Sequence, residues 1–246
     1  MTTWPYPRVI AHRGGGAFAP ENTLAALRKG KAMGFAGVEF DVMLTGDGVP
    51  VLIHDETLER TTSGRGRVAD TPYAVLAALD AGSWFSPAFA GERIPAYADA
   101  IKLCLKLALW ANVEIKPSGG FEADTGRIVS ASSAELWRSG ALPPLLSSFS
   151  MEALAAARDW APDLPRGFLT ESIAPDWQDA LQRYRCVSMH CDWRRLTEAQ
   201  ARAVRDAGYA LVCYTVNETD VARRLFDWGV NAVFTDRLDL FAGKLP

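Results

Sequence analysis

Glu39 and Asp41 stand two residues apart in Glu39-Phe40-Asp41-Val42-Met43-Leu44, and Glu114 and Lys116 repeat that spacing in Glu114-Ile115-Lys116. On a β-strand, residues two apart share a face, so each pair would project together. Charged side chains facing an apolar strand environment are costly unless paired or bound to a metal. A salt-bridge cluster accounts for either pair alone, whereas three carboxylates from two strands beside two histidines point to a metal centre. Oxygen ligands with no neighbouring thiol suit a hard divalent cation, Mg²⁺ or Ca²⁺, and suit Zn²⁺ poorly. The chain has 3 histidines, His12, His54 and His190, too few for a histidine-rich dinuclear hydrolase. His12 is followed by Arg13-Gly14-Gly15-Gly16, whose glycines let backbone approach a ligand, and His54 is followed by Asp55. Imidazole titrates near neutrality, so His12 and His54 at one site would supply a general acid and a general base. Arg13 and Lys116 would add positive charge for a phosphate, although Arg13 could equally pair with Glu21. His190 reads as structural.

The elements that must position these residues are short apolar or β-branched runs at 8–12, 37–44, 110–115, 145–149, 166–169, 186–190, 210–216 and 231–235. Helical patterns separate the later runs, and such alternation gives parallel strands joined by right-handed crossovers. Eight strands in a chain of 246 residues predict an α/β fold, a (β/α)8 TIM barrel forming a single domain over 1–246. Glu39, Asp41, Glu114 and Lys116 then lie toward the C-terminal ends of their strands, where a barrel builds its active site. Two pieces break the alternation. Thr45-Gly46-Asp47-Gly48 predicts a hairpin that returns as a strand over 49–54, and a Gly- and aromatic-rich stretch of about 56–96 without sustained periodicity reads as an inserted cap. Asn22 is expected to cap the helix that Gly34 ends, Thr197 and Gln200 have capping-box spacing, and a core-packing helix is expected over 98–110.

Composition limits the partners. Lys plus Arg is 26 against 29 for Asp plus Glu, a net charge of −3, which gives no electrostatic hold on nucleic acid. No stretch has the length or apolarity of a membrane span, and Met1–Arg8 lacks the basic start and apolar region of a secretory signal. Cys104, Cys186, Cys191 and Cys213 lack metal or disulfide spacing and read as core thiols, so a cytoplasmic location is expected.

His12-Arg13-Gly14-Gly15, Pro20-Glu21-Asn22-Thr23, Glu39-Phe40-Asp41-Val42, Asp47-Gly48, His54-Asp55, Leu58-Glu59-Arg60-Thr61-Thr62, Glu114-Ile115-Lys116-Pro117 and Tyr214-Thr215-Val216-Asn217 follow one another in order. This series resembles the motifs of the glycerophosphodiester phosphodiesterases along essentially the whole chain. With Trp4-Pro5-Tyr6-Pro7-Arg8, Asp80-Ala81-Gly82-Ser83-Trp84 and the 143–149 segment, it is most similar to the short bacterial cytoplasmic type associated with glycerol 3-phosphate uptake.

The resemblance implies a TIM barrel with a small inserted subdomain, hydrolysing glycerophosphodiesters such as glycerophosphocholine or glycerophosphoethanolamine to glycerol 3-phosphate and an alcohol. It implies that Glu39, Asp41 and Glu114 hold one divalent cation, that His12 and His54 are acid and base, and that Arg13 and Lys116 contact phosphate. His12 is read as the base and His54 as the acid, roles that can be exchanged, and the nucleophile is either water or the glycerol 2-hydroxyl. Phe149 and Trp84 are candidate walls of the substrate pocket, and Asn217 is a candidate contact to substrate or to a ligand carboxylate. Tyr214 stands where many relatives have Trp, and Arg237 follows Thr235-Asp236 where a Pro is common. Rival readings are a phospholipase, which would want an apolar rim or basic face not evident here, a Lys116 Schiff-base aldolase, and a non-catalytic binding protein. A homodimer is left open.

Overall fold

The computed structural model describes residues 4–242. Met1–Thr3 of the N-terminal reading therefore lie outside the described residues. Eight parallel strands, β1 (Val9–Ala11), β2 (Gly37–Leu44), β4 (Trp110–Ile115), β5 (Leu145–Ser148), β6 (Arg166–Thr170), β7 (Ser188–Asp192), β8 (Ala210–Tyr214) and β9 (Ala232–Thr235), follow one another around a sheet that closes through β1 and β2. Short β3 (Pro50–Leu52) pairs antiparallel with β2, so the predicted barrel and hairpin are both present. Helices α1 (Leu24–Ala32), α3 (Tyr97–Leu107), α4 (Glu122–Leu136), α5 (Met151–Trp160), α6 (Trp177–Arg183), α7 (Glu198–Asp206) and α8 (Thr219–Asp227) alternate with the strands.

Strand alternation separates core from site. All of β2 is buried, with Val38, Phe40 and Val42 packed in the main apolar core together with Ala111, Val113 and Ile115 of β4. Glu39, Asp41 and Glu114 belong to the opposite face of the same strands. The register pairs Asp41 directly with Glu114, so backbone hydrogen bonding itself brings carboxylates of two strands together.

The 56–96 segment has its own small core, formed by Leu58, Val68, Leu76, Ala81 and Ile94 against Met43, Val51 and Ile53, and includes the short helix α2 (Tyr73–Leu76). It returns to the barrel where Val51 bridges Ala96. Local expectations are refined at several points. Thr23, not Asn22, caps α1 by accepting from the Ala26 amide, because Asn22 is in the left-handed region and its side chain is committed elsewhere. The helix expected over 98–110 ends at Leu107, since Ala108 turns left-handed and exposed to feed β4. The Thr197–Gln200 capping box is formed, Gly34 has φ +89°, and the four cysteines are buried free thiols.

Candidate active site

β1 ends at Ala11, and the His12 amide donates to the Thr235 carbonyl, which sets His12 at the C-terminal mouth of the barrel. The chain then turns sharply through Arg13 (φ 48°). This turn directs the Arg13 amide to the Glu39 carboxylate at 2.9 Å. His54 reaches the same mouth along the hairpin: past β3, the Ile53 amide donates to the Asp41 carbonyl. The Asn22 side chain donates to the Asp41 carboxylate at 2.8 Å and accepts from the Asp41 amide, locking that side chain in place.

Glu39, Asp41 and Glu114 offer carboxylate oxygens that all lie within 4.8 Å of one another. Lys116 Nζ is 3.5 Å from Asp41 and 3.8 Å from Glu114, and Arg13 Nε is 3.8 Å from Asp41. Burial and the Asp41 charge push the Glu39 carboxyl up to about 7. Burial, then Asp41, drives Glu114 well above the usual carboxylate range. Asp41 itself is held low, burial being outweighed by Lys116, His54, Arg13 and the Asn22 hydrogen bond. Three converging carboxylates, two of them driven toward the protonated form by burial and by Asp41, fit a hard divalent cation. Glu39, Asp41 and Glu114 are the residues that could hold it.

Each imidazole rests on a carboxylate through Nδ1. His12 bonds Asp236 at 2.7 Å, with its Nε2 3.9 Å from Glu39, and His54 bonds Asp55 at 2.6 Å. A carboxylate partner makes Nδ1 the donor and leaves Nε2 as the atom that can exchange a proton. Burial would lower the His12 pKa, but the Asp236 hydrogen bond and the Glu39 charge raise it. For His54, burial with Arg13 and Lys116 outweighs Asp41 and Asp55, and its pKa is lowered.

The predicted residues divide clearly. His12, Arg13, Glu39, Asp41, His54, Glu114 and Lys116 converge. Arg13 is bonded to Glu21 at 2.7 Å while its buried Nε has no hydrogen-bond partner among the described residues. Phe149 lines a cleft with Glu114, Lys116, Pro117 and Ser148, and meets the Tyr214 ring edge-on at 6.0 Å. Asn217 bonds Asp236 rather than Glu39, Asp41 or Glu114: its amide donates to Asp236 at 3.1 Å and accepts from the Asp236 amide, so it holds the carboxylate that holds His12. Trp84 keeps its contacts within the insertion, bonding the Ala81 carbonyl and packing edge-on against Phe85. His190 is fully buried, bonded to Ser188 and packed on Phe234, as expected of a structural histidine. Sequence reasoning does not single out the contacts of Asp236 with His12, of Asn22 with Asp41, or of Arg60 with Glu21 and Asp55. Asp236 follows the last barrel strand directly, and that position was the available signal.

A family model described as the glycerophosphoryl diester phosphodiesterase family matches residues 12–240. The chain belongs to this family. Glycerophosphodiester phosphodiesterases, phosphoric diester hydrolases, thus form its kin. A glycerophosphodiester phosphodiesterase of Caldanaerobacter subterraneus is 34% identical over 234 residues, covering 93% of each chain. One from Bacillus subtilis is 31% identical over 246 aligned positions, covering 94% of this chain and 84% of its own. Among solved structures, an Oleispira antarctica phosphodiesterase in complex with the product sn-glycerol-3-phosphate superposes with TM-score 0.93 at 37% identity, over 97% of this chain and 96% of that one. The family thus agrees with the barrel, and no described helix is long and apolar enough to cross a membrane.

Proposed function

We propose that this chain hydrolyses glycerophosphodiesters, glycerophosphocholine and glycerophosphoethanolamine among them, to sn-glycerol 3-phosphate and an alcohol. The observation that carries this reading is the convergence at one barrel mouth, in a chain of this family, of three carboxylates, two cationic side chains and two carboxylate-bound imidazoles. Glu39, Asp41 and Glu114 would hold one divalent cation, Mg²⁺ or Ca²⁺, which when bound supplies charge neutralisation for the phosphate oxygens.

The chain's own residues account for the rest. Arg13 and Lys116 bind the phosphate anion. His54, kept neutral by burial and its cationic neighbours, accepts the proton of the attacking hydroxyl at Nε2. His12, whose imidazolium is favoured by Asp236, donates from Nε2 to the departing alkoxide. This reverses the roles expected from sequence, and its support is the different charge around each ring. Asp236 and Asp55 hold the tautomers. Phosphorus NMR of glycerophosphocholine incubated with the protein tests the reading: a growing sn-glycerol 3-phosphate signal supports it, and unchanged diester contradicts it. A transient cyclic phosphate would identify the 2-hydroxyl as nucleophile, and turnover of a substrate lacking that hydroxyl would identify water.

A second reading concerns the alcohol. Phe121 and Phe149, on the loops that follow β4 and β5, and Met151, the first residue of α5, are exposed and would give that side of the barrel mouth an apolar rim. Such a rim favours alcohols carrying an apolar chain, as in lysophospholipids. A headgroup panel including a lysophospholipid decides it.

A further inference from the structure

We propose that Arg60, carried by the inserted segment, is a positioning residue that sets the geometry of both sides of the site at once. This inference rests on the phosphodiesterase reading and deepens it. Arg60 Nη1 donates to Glu21 Oε2 at 2.8 Å and Nη2 donates to Glu21 Oε1 at 2.8 Å. The same guanidinium donates through Nε to Asp55 Oδ2 and through Nη2 to Asp55 Oδ1 at 3.1 Å. Each of these carboxylates has a second duty. Asp55 Oδ1 accepts the His54 Nδ1–H, and Glu21 Oε1 accepts Arg13 Nη1 at 2.7 Å. One planar fork therefore joins His54-Asp55 to Glu21-Arg13, the proton-transfer arm to the anion-binding arm. A lysine ammonium cannot satisfy two carboxylates in this way, because it lacks the fixed fork.

The packing of the insertion does not run through this clamp. Its apolar cluster, including fully buried Leu58, Val68 and Leu76, holds it against Met43, Val51 and Ile53. Backbone bonds from Leu58 to Gly66 and from Val68 to Glu56 close its loops. Arg60 itself is 44% exposed in its side chain, where ion pairs contribute little to stability. Its effect falls instead on orientation. Without it, Asp55 can swing into solvent and release the His54 tautomer, and Arg13 can settle against Asp41, now 3.8 Å from its Nε.

The test compares Arg60→Met, Arg60→Lys, Asp55→Asn and Glu21→Gln by steady-state kinetics on glycerophosphocholine and by proton NMR of the imidazole N–H region. The His54 resonance is identified by its loss in His54→Gln. Arg60→Met should lower kcat about 10- to 100-fold, as outer-shell partners do, and raise KM several-fold. Asp55→Asn should reproduce the kcat loss and Glu21→Gln the KM rise. Arg60→Lys should rescue neither. The Arg60→Met/Asp55→Asn double variant should be no slower than the slower single, the non-additivity of groups acting through one chain. The His54 N–H signal should broaden or vanish in Arg60→Met while the melting temperature barely moves. Wild-type kcat, KM and His54 signal in Arg60→Met would overturn the proposal, as would full rescue by Arg60→Lys. If the wild type releases no sn-glycerol 3-phosphate, the phosphodiesterase reading fails, and the His54 signal still decides the clamp.

Discussion

Asp236 and Asp55 show what the site demands of single residues: an imidazole must present the right nitrogen before it can move a proton. Replacing Asp236 by Asn keeps the shape but offers Nδ1 a different partner, so kcat for diester hydrolysis should fall by about 100-fold or more, with a smaller change in KM. Steady-state kinetics of Asp236→Asn check this. Glu39 carries the opposite lesson. Its unfolded carboxyl ionises near 4.5 and its folded one near 7, so across that window the folded state binds the extra proton. The cation-free protein should therefore lose stability as pH rises from about 4.5 to 7. Glu39→Gln removes the repulsion, and in EDTA at pH 8 it should melt higher than wild type while binding Mg²⁺ or Ca²⁺ at least tenfold more weakly. Calorimetry with and without cation reads both effects. Sequence made His12, Glu39, Asp41, His54 and Glu114 legible because they are charged or titratable residues set within, or just after, short apolar strand runs. The partners Asp236 and Arg60 were not, since the His12 to Asp236 contact spans 224 positions and an arginine in a loop carries no sign of which carboxylates it will meet. The partner of Asn217 was hidden for the same reason: its strand-end position is legible, and the bond of its amide to Asp236 is not.

At the scale of elements, the site depends on how tightly α1 and the glycine turn lie against the barrel. A Cβ on Gly30 of α1 would stand 2.3 Å from the Gly14 carbonyl oxygen, so only glycine lets the helix approach the turn that carries His12 and Arg13. Gly30→Ala should push α1 away, costing about 1–3 kcal/mol and lowering kcat through displacement of Arg13 and His12. Urea unfolding with parallel kinetics tests it. Adjacent Gly16, at φ 51°, would clash with the Asp236 backbone if it bore a Cβ, which ties the same turn to the residue behind His12. Strand positions were readable because apolar runs alternate with helical periodicity. Helix caps were less so. Asn22 and Thr23 are both good capping types, and what decides between them is that Asn22 donates to the Asp41 carboxylate and accepts from the Asp41 amide.

For the whole molecule, closing the barrel buries polar groups as well as apolar ones. His190 lies inside with its Nδ1 unpaired among the described residues, and burial pulls its pKa down to about 3. Unfolding would return it to about 6.5, so between those values the unfolded state alone takes up the proton. Stability should therefore fall as pH drops from about 6.5, by up to ~1.4 kcal/mol per unit from this group. Urea midpoints at pH 7.5 and 5 should converge more closely in His190→Gln than in wild type. The barrel was visible in the sequence as a count of strands, whereas the path of the insertion was not, because its core is assembled from scattered residues without a period.

Three carboxylates, two histidines and two cationic side chains at this barrel mouth are expected to cleave glycerophosphodiesters with the help of a divalent cation. The most direct measurement is release of sn-glycerol 3-phosphate from glycerophosphocholine by the purified protein, first in EDTA and then with Mg²⁺ or Ca²⁺ restored, beside Glu114→Gln. The expected result is release that EDTA abolishes, that added cation restores in wild type, and that cation restores weakly or not at all in Glu114→Gln. Undiminished release in EDTA would contradict the cation role, and no release from any diester under either cation would contradict the phosphodiesterase account itself.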